Sequence, residues 1–197
     1  MKLKNNKIRD ILFWTLFIGF GFIISVTLIM KNSSDELNIV DYGSVPYFEL
    51  IDQNAMTISL ADLNNKVWVI DFIFTTCAGP CPRMTEIMAS IHNKLKAEDG
   101  VRFVSITVNP EYDSPQILKE YGNMYNANHE KWHFLTGKRE AIHSLLVDGF
   151  HIGDKEDIVF HSTQFVLVDQ NGTIIGYYSS TDKEDIEKLE KDILQLL

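Results

Sequence analysis

The stretch that decides the fold is VWVIDFIFTTCAGPCP, which spans residues 67–82. Its first part, Val67 to Phe74, is almost continuously apolar and aromatic, which is typical of a central strand covered on both faces. The two cysteines of the chain, Cys77 and Cys81, follow this strand directly. Apolar residues then recur at helical spacing from Met84 to Leu95, which predicts a helix. The stretch therefore predicts a strand, a loop with a C-x3-C pair, and a helix.

The chain from Pro46 onward alternates between strands and helices. A closing hairpin is strongly indicated by Asn171-Gly172, because this dipeptide suits a tight turn between two strands. The other predicted strands are Tyr47–Ile51, Met56–Leu60, Val101–Val108 and Trp132–Leu135, the hairpin strands are Gln164–Asp169 and Thr173–Tyr178, and the other helices are Ser114–Asn126, Arg139–Val147 and Lys183–Leu197. This order predicts an α/β domain with parallel central strands, helices on both faces and an antiparallel edge.

The N-terminal part differs in kind from this domain. Residues 11–30 contain no charged side chain, and a helix of that length spans about 30 Å, the thickness of a bilayer core. Four basic residues between Lys2 and Arg9 precede it, so the positive-inside bias places the N-terminus in the cytoplasm and the later chain outside. A cleaved signal peptide would need a small-x-small site, whereas the first alanine is Ala55. An uncleaved anchor is favoured over a signal peptide, and over a buried core helix because the segment is apolar on every face.

Composition and charge bound the organisation and the partners. A chain of 197 residues with 45% hydrophobic and 23% charged residues suits one globular domain plus an appendage. Residues 1–31 carry a net charge of +4 and the whole chain −9, which leaves −13 on the remainder. An ectodomain that acidic argues against nucleic acid or an anionic lipid surface as a partner. The predicted parts are a cytoplasmic segment at 1–10, a transmembrane anchor at 11–30, a linker at 31–45 and the domain at 46–197.

The cysteine pair is better explained by chemistry than by a structural cross-link. A disulfide that closes so short a loop would contribute only about 2 kcal/mol, and structural disulfides of exported proteins usually come in several pairs. A helix N-terminus offers free N–H groups and partial positive charge, which stabilise a thiolate. Because a thiolate attacks disulfides and also ligates metals, Cys77 and Cys81 predict redox chemistry or a metal site.

Four blocks of this sequence resemble the Sco/SenC family of the thioredoxin superfamily. They are FTTCAGPCP at 74–82, VNPEYDSPQILKEY at 108–121, FLTG at 134–137 and FHSTQFVLVDQNG at 160–172. The resemblance covers about residues 45–178 and implies a thioredoxin-like fold, with a central mixed sheet and helices on both faces, behind one N-terminal transmembrane helix. It also implies an extracytoplasmic copper metallochaperone that assists assembly of the binuclear copper centre of cytochrome c oxidase, with the subunit that holds this centre or another copper client as its partner.

The resemblance also supplies a ligand set. In that family the two motif cysteines and a downstream histidine bind copper, and the matching positions here are Cys77, Cys81 and His161. Two soft thiolates and one imidazole suit three-coordinate Cu(I), and imidazole also accepts Cu(II). Phe160 precedes His161, whereas the family commonly has an aspartate there that would orient the imidazole.

The other histidines are weaker candidates. His161 is preferred because it lies just before the strand that starts near Gln164, and in thioredoxin-like folds that loop faces the active cysteines. His151, in the preceding loop, is a reserve ligand. His92 falls on the polar side of its helix and is predicted to be solvated.

Asp71 and the cysteines leave two functions open. Thioredoxins have a buried aspartate six residues before the first cysteine, where it serves proton transfer, and Asp71 stands at the same offset from Cys77. The alternative for Asp71 is a polar residue at a strand bend or exposed edge.

One of the two functions is a metallochaperone that passes copper on without turnover. The other is a thiol–disulfide oxidoreductase, in which Cys77 attacks and Cys81 resolves. A peroxidase of the peroxiredoxin type is disfavoured, because Phe74 stands where that family has threonine.

Overall fold

The computed structural model describes residues 13–25, 40–153 and 163–197. The chain divides into two units, Met1–Asn38 and Ile39–Leu197. In the first unit, residues 13–25 form helix α1, whose side chains are all exposed. None of the helices in these ranges is both long and apolar enough to cross a membrane. The predicted anchor at 11–30 extends past α1 at both ends, into residues outside the described ranges.

One seven-stranded mixed sheet forms the centre of the second unit, as the alternation of the sequence predicts. Its strands are β1 (Glu49–Asp52), β2 (Thr57–Ser59), β3 (Val67–Ile73), β4 (Val101–Thr107), β5 (Trp132–Thr136), β6 (Gln164–Val168) and β7 (Ile174–Ser179). Their order across the sheet is β2-β1-β5-β4-β3-β6-β7. The pairs β3–β4 and β4–β5 are parallel, and the remaining pairs are antiparallel.

The helices of this unit follow the strands in the predicted order. They are α2 (Pro80–Lys94), α3 (Pro115–Met124), α4 (Arg139–Ser144) and α5 (Lys183–Leu196), with a short 3₁₀ turn at Leu60–Leu63. The Ser114 hydroxyl caps α3, and the Asp182 carboxylate caps α5, because both residues can accept a hydrogen bond from a free N–H of the first turn. The helix predicted at Arg139–Val147 ends instead in a wider π-helical turn, Leu145–Gly149.

Strand β3 lies inside the sheet and is buried along its whole length. Side chains alternate between the two faces of a strand. Trp68, Ile70 and Phe72 belong to the core on one face of the sheet, so Val69 and Asp71 face the opposite side. The apolar run that predicts a central strand is therefore confirmed, and its one acidic residue faces the interior.

Packing of this unit begins within the segment predicted as a linker. The Tyr42 N–H donates to the Ile174 carbonyl at 3.0 Å, and the Val45 N–H donates to the Gly172 carbonyl at 2.9 Å. Val45 is buried. Residues 42–45 thus lie along the β6–β7 hairpin, so contacts with the domain begin a few residues before the predicted boundary at Pro46.

Candidate functional site

The cysteine pair lies at the C-terminal end of β3, in the loop that leads to α2. Gly79 is the N-cap residue of α2 and Pro80 is its first residue, where the missing N–H of proline is no loss. Cys81 therefore lies inside the first turn of the helix. The Cys77 N–H donates to the Phe74 carbonyl at 3.2 Å, so Cys77 occupies a tight turn just ahead of the helix.

The two thiols have different environments. Both cysteines are free, with Cys77 half-exposed and Cys81 buried. The Gly79 N–H donates to the Cys77 sulfur at 3.4 Å. Burial alone would raise the pKa of Cys77, but the backbone N–H groups of Cys81 and Gly79 and the Cys81 thiol donate to its sulfur and leave the pKa below its usual value. This pattern makes Cys77 the thiol that ionises first and is open to a partner.

Cys81 is the harder thiol to ionise. Burial raises the pKa of Cys81 to about 12, and the charges of Cys77 and Asp71 act in the same direction. A buried thiol of this kind becomes a thiolate only when a neighbouring base takes its proton or when a metal binds the sulfur and displaces the proton. The pair is therefore asymmetric, because Cys77 ionises more readily than the buried Cys81.

Asp71 is fully buried on β3, which excludes the alternative of an exposed strand edge. Neither of its carboxyl oxygens has a hydrogen-bond partner among the described residues. Burial raises the pKa of Asp71 to about 7. Ser105 is its register partner on β4, and the Ser105 hydroxyl accepts the indole N–H of Trp132 at 3.0 Å. Asp71 is thus a buried carboxyl that can gain or lose a proton near neutral pH.

A hydroxyl chain supports the first turn of α2. The Thr85 hydroxyl donates to the Cys81 carbonyl at 2.9 Å. It also lies 2.8 Å from the Tyr121 hydroxyl of α3, which is the donor in that contact because the Thr85 proton is already engaged. Both side chains are buried, so α3 fixes the helix turn that carries Cys81.

The loop before Cys77 is held by a residue that the sequence did not single out. Asp113 follows β4 and is fully buried. Its carboxyl oxygens accept hydrogen bonds from Thr75 and Thr107. Asp113 lies within the block VNPEYDSP that supports the family resemblance, and an acidic residue just after a predicted strand was the available signal.

Of the three candidate histidines, His92 and His151 lie within the described ranges. His161, the predicted third ligand, lies outside the described ranges. His151 is exposed and has a φ of +53°. The prediction for His92 is wrong, because its ring is buried with its centroid 5.3 Å from that of Phe103 and 5.4 Å from that of Trp132. The helix face that carries His92 packs on the sheet.

Within the described ranges, no three His, Cys, Asp or Glu side chains form a group that could hold a metal ion. The structure brings Cys77, Cys81 and Asp71 into one region, since charge on Asp71 bears on the pKa of Cys81. The two thiols can form a disulfide or supply two sulfur ligands, and the Asp71 carboxyl can exchange a proton. Two of these three groups are soft donors, which suit Cu(I) better than calcium or magnesium.

Comparisons with known proteins agree with this fold. A family model described as SCO1/SenC matches residues 41–197. The "SCO1 protein homolog" of Bacillus subtilis is 34% identical over 152 residues, which cover 74% of this chain and 79% of that protein.

Two solved structures are also similar. BsSco, described in connection with a disulfide switch and as a member of the Sco family of cytochrome c oxidase assembly proteins, has a TM-score of 0.71 and 31% identity, covering 81% of this chain and 95% of that one. Arabidopsis thaliana ScoI, solved with copper bound, has a TM-score of 0.65 and 25% identity over 78% of this chain and 99% of that one. With its thioredoxin-like α/β fold and its C-x3-C pair at the start of a helix, this chain belongs to the SCO1/SenC family.

Proposed function

We propose that this chain is an extracytoplasmic copper metallochaperone that binds copper through Cys77, Cys81 and His161 and passes it to a client. The observation that carries the proposal is the thiol pair at the start of α2, with a lowered pKa at Cys77 and a buried Cys81. The related ScoI that was solved with copper bound supports copper as the metal. The client is the copper-centre subunit of cytochrome c oxidase or another copper protein, which the description of BsSco supports.

The thiol pair suits a metal that must be both held and released. The Cys77 thiolate is the first ligand available, and Cys81 loses its proton as the metal binds, because coordination favours the thiolate. Cys77 remains half-exposed, so a thiol or imidazole of a client can reach the metal from solvent. A site with one buried and one exposed sulfur therefore permits transfer by ligand exchange.

The assignment of His161 gives the first test. His161→Ala should weaken Cu(I) binding only mildly, because Cu(I) accepts two-coordinate dithiolate ligation, and should weaken Cu(II) binding by about 100-fold, because Cu(II) prefers nitrogen ligands. The measurement is competition of the full chain with a chelator of known affinity for each ion. His151→Ala is the matched control and should bind both ions like the wild type. If His161→Ala also binds both ions like the wild type, or if His151→Ala shows the Cu(II) loss instead, the ligand assignment is wrong.

Residues 11–30 are proposed as a single membrane anchor with the N-terminus in the cytoplasm. The support is their lack of charge and the basic residues before them. A reporter that is active only outside the cytoplasm, fused after Leu197, should be active, and the chain should stay with the membrane fraction after a carbonate wash. A fusion that is active only in the cytoplasm would contradict the orientation, and a mature N-terminus near Ser33 would contradict the uncleaved anchor.

A second function, thiol–disulfide exchange with client cysteines, is favoured by Asp71. In that reaction the Cys77 thiolate attacks a client disulfide and forms a mixed disulfide, which releases one client thiolate. Asp71 takes the Cys81 proton, and the Cys81 thiolate then attacks the Cys77 sulfur. The Cys77–Cys81 bond forms, the second client thiolate leaves, and two electrons have passed to the client. Reducing the cysteines of a client prepares them to accept copper, so the two functions are compatible.

A further inference from the structure

The separation of the two thiols depends on how the loop between β3 and α2 is anchored. Cys81 is fixed by the helix, since it is buried and its carbonyl accepts the Thr85 hydroxyl at 2.9 Å. Cys77 lies ahead of the helix and is half-exposed. Its position relative to Cys81 therefore depends on the residues that flank it, which include Thr75 and Thr76 just before it.

Asp113 holds one of these residues from the neighbouring loop. Its Oδ1 atom accepts the Thr75 hydroxyl at 2.5 Å, and its Oδ2 atom accepts the Thr75 N–H at 3.1 Å. Both the backbone and the side chain of Thr75 thus bond to one carboxyl group. A residue held by two bonds to one rigid group keeps its orientation as well as its position.

The carboxyl group is itself tied to β4. Its Oδ2 atom also accepts the Thr107 hydroxyl at 2.5 Å, and Thr107 is the last residue of β4. The Thr107 oxygen accepts the Asn109 N–H at 3.0 Å, so its own proton is free to be given to Asp113. The Asp113 N–H donates to the Asn109 carbonyl at 3.0 Å. Every donor in this network has one acceptor, and the network joins the ends of two parallel strands.

This arrangement is costly as a purely structural element. Asp113 is fully buried, and none of the ion pairs among the described residues includes it. A carboxyl group removed from water with only neutral donors around it is stabilised less than one paired with a cation. The donors of Thr75 and Thr107 offset part of this cost, and the two that come from Thr75 tie the carboxyl group to the loop that carries Cys77.

We propose that Asp113 is the positioning residue of the cysteine pair, and that it sets the distance between the Cys77 and Cys81 sulfurs by holding Thr75. The proposal deepens the proposed function at the same site, but it concerns the thiols and not the copper. Holding two thiols close raises their effective concentration toward each other. Loss of the hydrogen bonds from Thr75 therefore disfavours every state that needs both sulfurs at a fixed distance, the disulfide first of all.

The test is the equilibrium of the full-length chain with a small dithiol buffer, such as oxidised and reduced dithiothreitol. The two protein thiols give two electrons and two protons to the disulfide of the reagent. The S–S bond of the reagent breaks, and a Cys77–Cys81 bond forms. Asp113→Ala should lower the equilibrium constant for this reaction about 10-fold, which is a rise in reduction potential of about 30 mV.

Two further variants separate positioning from stability. Asp113→Asn should restore most of the equilibrium constant, because its amide oxygen accepts the bonds at Oδ2 and its NH2 group donates to the Thr75 hydroxyl. Asp192→Ala is the matched control, because Asp192 on α5 is also buried but accepts a hydrogen bond from the hydroxyl of Tyr178 on β7, 2.6 Å away. It should lower thermal stability without changing the thiol equilibrium.

An unchanged equilibrium constant in Asp113→Ala, or an equal change in Asp192→Ala, would overturn the proposal. If Asp113→Ala does not fold, Thr75→Val decides, since it removes one hydroxyl and should lower the constant about threefold. No change in Thr75→Val then overturns the proposal. The result is independent of copper. A chain that takes up no copper but shows these shifts contradicts the metallochaperone and leaves the positioning role of Asp113 standing.

Discussion

Cys77→Ser and Cys81→Ser should each lower the affinity of the reduced chain for Cu(I) by at least about 100-fold. Each substitution leaves one sulfur, and a hydroxyl oxygen is a hard, weak ligand for Cu(I). The two variants should lose affinity to a similar degree although Cys77 is half-exposed and Cys81 is buried, because a dithiolate site needs both sulfurs. The measurement is competition with a Cu(I)-specific chromogenic chelator under anaerobic conditions.

Ser90→Ala is the matched control for these variants, because Ser90 lies on α2 and is exposed. It should bind copper like the wild type. A Cys81→Ser variant that keeps the wild-type affinity would show that the metal is bound without the buried sulfur. In that case the two cysteines do not bind the metal as a pair.

Asp71→Asn should make the reduced chain more stable at pH 8, by about 2–4 kcal/mol in the free energy of unfolding. The pKa of Asp71 is raised from 3.8 to about 7 in the folded chain. Between these two values the unfolded chain has lost the proton and the folded chain still holds it. The stability of the wild type therefore falls as pH rises from about 4 to 7, and above 7 the folded chain carries a buried carboxylate that asparagine removes.

The gain should shrink as the pH is lowered toward 4, where Asp71 is protonated in both states. Urea unfolding of the wild type and of Asp71→Asn at pH 8 and at pH 4.5 measures it. Asp192→Asn is the control, since the Asp192 carboxylate is buried beside Lys188. Removing its charge should lower the stability of the folded chain. A gain of the same size at both pH values would mean that the effect is one of packing and that the pKa of Asp71 is ordinary.

The same variant tests proton transfer. Asp71→Asn should slow the resolution of a mixed disulfide at Cys77, because Cys81 has lost the group that takes its proton, and should change copper affinity little. If exchange rates across pH 6–8 equal those of the wild type, Asp71 is a buried acid without a role in exchange. Asp71→Asn should thus raise the stability of the chain and slow disulfide exchange, as expected where a site retains a costly group for its chemistry.

The sequence predicts the strands and helices well because their signals are local. The apolar run from Val67 to Phe74 is confirmed as the buried strand β3, and Asn171-Gly172 lies in the turn between β6 and β7. The start of α2 is less well predicted, since Gly79 caps it without a side chain and the helix begins at Pro80. Strand order is not encoded locally either, and it is the position of β3 between β4 and β6 that buries Asp71.

The candidate site, too, is predicted only where its signals are local. The C-x3-C spacing identifies Cys77 and Cys81, and the offset of Asp71 suggests its neighbourhood. The contact between Asp113 and Thr75 joins residues 38 positions apart, and no periodicity of the sequence reports it. The sequence predicts His92 on the polar side of its helix, but Phe103 and Trp132 cover that side. Burial of this kind depends on which strands lie under a helix, and the sequence of the helix alone does not show which strands these are.

The most direct measurement is the copper content of the full-length chain, taken once with the thiols reduced and once with the Cys77–Cys81 disulfide formed. Metal is added in excess, unbound metal is removed by gel filtration, and copper is counted per chain by atomic absorption. One copper per reduced chain and none per oxidised chain is the predicted result, because the disulfide removes both thiolates from the site. A reduced chain that holds no copper, or an oxidised chain that holds as much, would contradict copper binding by this thiol pair.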